Sequence, residues 1–238
     1  MRQNNLKANE EDVMRAIRLL NEVGGHRPPW ELPHLLPGIN LLYGLPGESK
    51  RTLDYNLSFL ERLLKENLIV RRINIRQVIG FPGTRMASKR KSTLKRHEFF
   101  RHKKQIRESI DYEMIRRVAP YGTIIRSAFA EQKQGNTHLL RPLGTYPPLC
   151  FMPDGQSIDE FIDVFVVDHG PRSLSVLPYP LEVSKASLAQ WKAVPGVGAK
   201  RAARIKGAKT IVSVEQLENL LELELPSWLT RSLRFAVD

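Results

Sequence analysis

An α/β segment, a small all-β domain and an all-α tail, in that order, are what this sequence predicts. Three observations carry the prediction. Apolar patterns of helix and strand period alternate through residues 1–87. Short β-branched runs, broken by Gly, Pro and Asp, fill residues 121–183. From residue 184 to 238 the spacing is helical again, around a Pro-Gly-Val-Gly turn. Residues 88–120 read as a basic helical connector between the first two parts.

In the first segment, Asn9 reads as an N-cap, and Val13, Ile17, Leu20 and Val23 line one face of a helix ending at Gly24-Gly25. His26 to Pro37 is a proline-rich loop. Ile39 to Leu45 reads as a buried strand, and Pro46-Gly47-Glu48-Ser49 turns into a helix running to about Glu66, striped by Leu53, Leu57, Leu60 and Leu64. Glu48 is read as an acid stabilised by that helix's positive end. A second strand is expected over Val70 to Phe81, ended by Pro82-Gly83-Thr84. Such alternation argues for parallel β/α packing. Strand side chains alternate, so Asn74 and Arg76 share a face opposite Ile73 and Ile75, and Asn40, Leu42 and Gly44 share one likewise.

Ser88 to Val118 reads as a long helix or helix pair, with Phe99, Ile106, Ile110, Met114 and Val118 as its apolar stripe. After Pro120-Tyr121-Gly122, the runs Thr123–Ile125, Leu139–Phe151, Phe161–Val167 and Ser173–Leu177 predict a small antiparallel sheet or barrel. Asp168-His169-Gly170 reads as a turn closing the third run. No nucleophile or second carboxylate is fixed beside it to make His169 a general base. In the tail, Ser213-Val214-Glu215-Gln216 is a capping-box start for a third helix. Leu225-Pro226-Ser227-Trp228 marks a second, glycine-free hairpin expected to serve packing.

The composition, 42% hydrophobic and 26% charged over 238 residues, is that of a soluble globular protein. No apolar run is long enough to span a bilayer, and the N-terminal residues do not form a signal peptide, so a cytoplasmic protein without a membrane partner is expected. The net charge of +12 favours a polyanion. Residues 85–117 hold 12 basic and 4 acidic residues, a net +8, and residues 185–238 hold 9 and 5, a net +4. The first cluster reads equally as a nucleic-acid surface or as a solvated helix face. Residues 122–182 are net −3, so the β domain would not itself supply electrostatic affinity. Cys150 is the single cysteine; its apolar neighbours predict a core thiol. The six histidines show no metal-ligand spacing, and no catalytic residue or metal site is assigned.

Leu188, Trp191 and Val194 give the tail's first helix an apolar face, and Pro195 stops it. A helix then starts at Ala199 with amides that lack internal partners, at a positive dipole end. Lys200, Arg201 and Arg204 add charge. The stretch resembles the helix-hairpin-helix motif, which grips nucleic-acid backbones without reading bases. The resemblance implies that Gly196, Val197 and Gly198 offer main-chain amides to a phosphate, with Lys200, Arg201 and Arg204 in support. The alternative is a helical hairpin used only for packing.

Gly44-Leu45-Pro46-Gly47-Glu48-Ser49, and the later Ile73 to Val78 followed by Gly80-Phe81-Pro82-Gly83-Thr84, resemble the strand-end turns of radical S-adenosylmethionine enzymes. The order of parts is similar to archaeal proteins of that group with a TRAM-like β domain and a helix-hairpin-helix tail. Further matching pieces are Leu36 to Asn40, Leu143 to Pro147, Val167 to Gly170 and Pro178 to Leu181. The likeness implies a partial β/α barrel over 1–87, a TRAM-like barrel over 121–183 and RNA contact. It also implies that Gly44, Asn74 and Arg76 face a cofactor in a completed barrel; read alone, Asn74 and Arg76 are ordinary interior polar residues or a salt-bridge site. That chemistry needs three thiolates, usually as CxxxCxxC, to hold a [4Fe–4S] cluster, and this chain has one cysteine. The strand that should carry the cluster loop would precede Met1.

The expectation is therefore a nucleic-acid-binding protein that does not cleave S-adenosylmethionine alone. The alternative is a C-terminal subunit or fragment of a radical S-adenosylmethionine enzyme acting on nucleic acid, completed by a separate cysteine-bearing barrel half that docks near Ile39–Leu45. S-adenosylmethionine and the [4Fe–4S] cluster are cofactors only in that completed enzyme. A protein-interaction scaffold is a third class.

Overall fold

The computed structural model describes residues 8–84, 86, 94–144, 147–154 and 158–236. The chain forms two compact units. One comprises Met1–Arg27 with Pro33–Val118, and the other Pro28–Leu32 with Ala119–Asp238.

The first unit contains α1 (Glu10–Gly24), β1 (Gly38–Tyr43), α2 (Lys50–Lys65) and β2 (Arg72–Gln77). After these come α3 (Arg96–Ile106), a π-helical turn (Arg107–Asp111) and α4 (Tyr112–Val118). Asn9 and Asp12 close a full capping box on α1, at 2.9 and 3.1 Å. β1 and β2 pair in parallel, Asn40 opposite Asn74 and Leu42 opposite Arg76. One sheet face is apolar: Ile39, Leu41, Tyr43, Ile73 and Ile75 pack with Met14 and Ile17 of α1, Leu60 and Leu63 of α2, and Phe99, Ile106, Ile110 and Met114. The other face stays open, with Asn40, Leu42 and Arg76 exposed and Asn74 half-buried.

Several expected boundaries shift. β2 ends at Gln77, well short of Phe81, and beyond it Ile79 and Phe81 are exposed (71% and 62%) rather than buried in a sheet. Met14 takes the place of Val23 in the α1 stripe; Val23 is 69% exposed, rotated off the face by the helical period. Leu63 is buried in α2, where Leu57 and Leu64 are partly covered. The expected helix from Ser88 begins at Arg96; residues 88–93 lie outside the described residues.

The second unit is built on a closed five-stranded barrel, ordered β3-β4-β5-β7-β6. Its strands are β3 (Ile124–Gln134), β4 (Thr137–Pro142), β5 (Leu149–Pro153), β6 (Phe161–His169) and β7 (Ser173–Pro178). All pairings are antiparallel except β5 with β7. β6 is buried on both faces. Phe165 and Val167 join a cluster with Trp191, Val194, Ile205, Leu217 and Leu229, whereas Val164 and Val166 lie outside that cluster and are fully buried. The cluster seats α5 (Leu188–Ala193), α6 (Ala199–Gly207), α7 (Val214–Leu221) and α8 (Ser227–Thr230). A short parallel pair, β8 (Leu181–Glu182) and β9 (Leu233–Arg234), ties the tail's end to its start.

His169 is not in a turn. β6 runs through it, and its Nε2 lies 2.7 Å from the Ala119 carbonyl in a buried contact. The strand continues because Asp168 and His169 pair with Ser175 and Leu174. Cys150 is fully buried, and burial pushes its thiol up to about 12. Among the described residues no helix is long and apolar enough to cross a membrane.

Candidate functional site

The tail hairpin is set by its caps. Ser187 and Gln190 form a full capping box on α5, with the Gln190 amide donating to Ser187 Oγ (3.1 Å) and the Ser187 amide to Gln190 Oε1 (2.9 Å). Trp191 and Val194 are buried as the pattern predicts, but Leu188 is 40% exposed and outside the face. Gly196 adopts φ +82, a left-handed conformation that side chains resist, and a Cβ there would meet Leu223 Cδ2 at 3.2 Å. Gly198 is the N-cap of α6 in an extended conformation, and a Cβ there would meet nothing within 4 Å.

Val197 departs from its expected role. Its amide donates to the Val194 carbonyl (3.0 Å), and its side chain is 2% exposed. The residue plugs the turn into the core and has no N–H to give a ligand. The first amide bonded along α6 is that of Ala202, donating to the Gly198 carbonyl at 3.0 Å. Among the described residues, the N–H groups of Gly198, Ala199, Lys200 and Arg201 donate to no main-chain carbonyl. They stand at the positive end of a nine-residue helix, beside an exposed, glycine-bare turn. Main-chain donors so placed suit an oxyanion.

The three nearby cations differ. Lys200 is exposed and makes no ion pair among the described residues. Arg204 Nη1 donates to Glu222 Oε1 at 3.0 Å, on the surface. Arg201 is a clasp: Nε donates to the Leu221 carbonyl (2.7 Å), Nη1 to Gly196 (3.0 Å) and Nη2 to Glu222 (3.1 Å). Its fork is used to hold the glycine turn against the end of α7, where Glu222 takes a left-handed cap at φ +50. Its charge stays beside the turn. Ser213 caps α7 through the Gln216 amide (3.2 Å), but the Gln216 side chain reaches Val212, so the expected box is half formed.

On the open face of β1 and β2, Asn74 Nδ2 donates to Asn40 Oδ1 at 3.0 Å. Arg76 is exposed on that face, and Gly44 follows the strand at φ +88, its amide donating to Glu48 Oε2 (2.5 Å). Glu48 is thus buried against a strand-end amide rather than set on the first turn of α2. No group of three His, Cys, Asp or Glu residues among those described could hold a metal ion.

Two aromatic groups of the second unit escaped the pattern reading. Trp30, in the strap of residues 28–32, is 57% exposed at φ +66, and Arg231 Cζ lies 3.4 Å from its ring centroid. Arg231 Nη2 donates to the Gly122 carbonyl, and Trp228 stacks on Tyr121 at 5.5 Å. Gly122 is required at this crossing: at φ +74, a Cβ would fall 2.6 Å from Trp228 Cβ. On the barrel, Phe129 and Phe161 lie 5.1 Å apart. No periodic signal marks Trp30, a lone indole in a proline-rich loop.

No family model matches the sequence. It is similar to an uncharacterized protein of Methanocaldococcus jannaschii, 45% identical over 176 residues, which cover 72% of this chain and 32% of that protein. It is also similar to an uncharacterized protein of Archaeoglobus fulgidus, 41% identical over 198 residues, covering 82% of this chain and 37% of that one. The chain therefore spans about a third of the length of these archaeal relatives.

Proposed function

We propose that the protein binds nucleic acid through the backbone phosphates, with the turn at Gly196–Gly198 as the seat, in the manner of a helix-hairpin-helix module. The observation that carries this reading is the set of four undonated amides, from Gly198 to Arg201, beside a turn with open space over Gly198. Lys200 supplies a free cation and Arg201 a fixed one. Contacts of this kind position a duplex or a single strand without reading its sequence. The TRAM-like reading of the barrel and a cytoplasmic setting belong to the same proposal. The test is Gly198→Asp, which places a carboxylate in the open space where the phosphate would sit. Affinity for duplex DNA and structured RNA, measured by fluorescence anisotropy at low salt, should fall by roughly tenfold or more. Unchanged affinity with an intact fold refutes the seat.

A second reading is favoured by the open polar face of β1 and β2 and by the chain's share of its relatives. In it, this chain is the later part of a radical S-adenosylmethionine enzyme, and Gly44, Asn74 and Arg76 line the cofactor side of a barrel completed elsewhere. The residues present do not fit the iron–sulfur cluster. Cys150 is fully buried with its thiol pushed up to about 12, so it offers no thiolate. The cluster ligands would come from a separate cysteine-bearing part. Co-purification with such a chain supports this reading, and a colourless monomer that neither binds nor cleaves S-adenosylmethionine in its presence overturns it.

A further inference from the structure

We propose that the open face of the Trp30 indole is a stacking platform for an unpaired nucleobase, with Arg231 as its cationic backing. The inference rests on the nucleic-acid reading and adds the kind of substrate: one with a base out of its stack.

Three observations converge on this side chain. Trp30 is 57% exposed, whereas Trp191 is fully buried and Trp228 is partly buried and stacked on Tyr121. An indole kept only for packing would be covered like those two. Its backbone is held at φ +66, a region where a bulky residue is a true outlier, and such strain persists only where the surroundings fix it. Here the fixing is visible. The Trp30 carbonyl accepts from the Ile124 amide, Glu31 bridges to Ile124, and the Glu31 carboxylate accepts from Arg126 Nε at 2.9 Å. Finally, the ring itself is held. Arg231 lies against one face at 3.4 Å and is anchored to the Gly122 carbonyl, leaving the residue's remaining exposed surface to solvent.

A rigid, exposed aromatic face with a guanidinium behind it suits a flat, uncharged π system attached to an anion. A nucleobase on its phosphate backbone has that chemistry, and the chain carries a net +12. The barrel's aromatic pair, half-buried Phe129 with exposed Phe161, is less suited. Glu131, Asp159 and Glu160 surround it in sequence, and Arg141 beside it is paired with Glu131 at 2.7 Å.

The test uses the full chain and a short single-stranded DNA carrying one 2-aminopurine, with the matching duplex as reference. Binding should quench 2-aminopurine emission in the single strand. Trp30→Leu should abolish the quench and weaken single-strand binding about 5- to 150-fold, the range of one lost base stack, with duplex affinity changed less than about twofold. Trp30→Phe should restore most of the quench. Absence of quenching in the wild-type complex overturns the proposal whatever the variants do, as does an equal loss of single-strand and duplex binding in Trp30→Leu. If the wild type binds both nucleic acids, Gly198→Asp weakens both and Trp30→Leu weakens neither, the platform alone falls. If the wild type binds neither at low salt, the phosphate seat falls and the platform with it.

Discussion

Arg201 donates from three nitrogens to three main-chain carbonyls, of Leu221, Gly196 and Glu222. Each of those carbonyls ends a helix or a turn and has lost its regular partner. Removing the guanidinium leaves one partly buried acceptor, at Leu221, and two exposed ones without it. Arg201→Met should therefore lower stability by about 1–3 kcal/mol, read as a drop in melting temperature. Arg201→Lys should not rescue it, because an ammonium cannot span three acceptors set in a fork. A melting curve unchanged in both variants contradicts the clasp. The sequence shows Arg201 as a cation next to Lys200, and local spacing offers no hint of carbonyls some twenty residues later. Trp30 is hidden in the same way, since its significance comes from Arg231 and Ile124, both remote in the chain. Gly196, by contrast, is readable directly, because the tight turn before the helix takes a left-handed residue there, whereas Gly198 is extended and needs no glycine.

The helix pair of the first unit shows what periodicity can and cannot give. Phe99, Ile106, Ile110 and Met114 are spaced by seven, four and four residues, and all are buried. The π-helical turn between α3 and α4 leaves no such trace; it widens one turn, where Arg107 reaches both the Ile73 carbonyl and Asp111. The same helix carries His102, which is 5% exposed and hydrogen-bonded to the Tyr43 hydroxyl at 2.8 Å. Burial holds the imidazole below its ordinary value of 6.5, against a weaker pull from Asp54. The unfolded chain then binds a proton that the folded one refuses, so stability rises with pH through this window. Stability should be complete above about pH 6.5 and decline as pH falls below it, and His102→Gln should flatten that part of the melting-temperature profile. An identical profile in the variant removes His102 as the cause. The sequence pattern ends the first strand of the barrel at Ile125, yet β3 runs to Gln134; its last residues, Glu131 to Gln134, are all exposed and polar, so no alternation betrays the strand. The β6 extension through His169 was missed for the opposite reason, a buried polar residue looking like a loop.

Taken over the full chain, charge and architecture were the most readable features, because both are sums over many residues. The order of an α/β part, a small β barrel and a helical tail follows from periodicity alone; the closure of the barrel does not, since it depends on β5 and β7 meeting in parallel. The basic connector is partly self-neutralised: Arg107 pairs with Asp111, Lys104 with Glu108, and Arg116 and Arg117 with Glu113. The tail turn should then set the salt response. With two or three phosphates held there, the plot of log affinity against log salt should have a slope near −2 to −3 for duplex DNA. A flat plot contradicts phosphate binding, and a much steeper one assigns most of the contacts to residues 85–117. Closure of the ring has a separate consequence. A sealed cylinder offers no main-chain rung to a foreign strand, so whatever meets this barrel must be recognised by side chains and loops. Among the described residues β1 and β2 pair with no other strand; on β2 the Ile73 carbonyl is taken by Arg107, so a strand added by backbone bonding would have to join along β1.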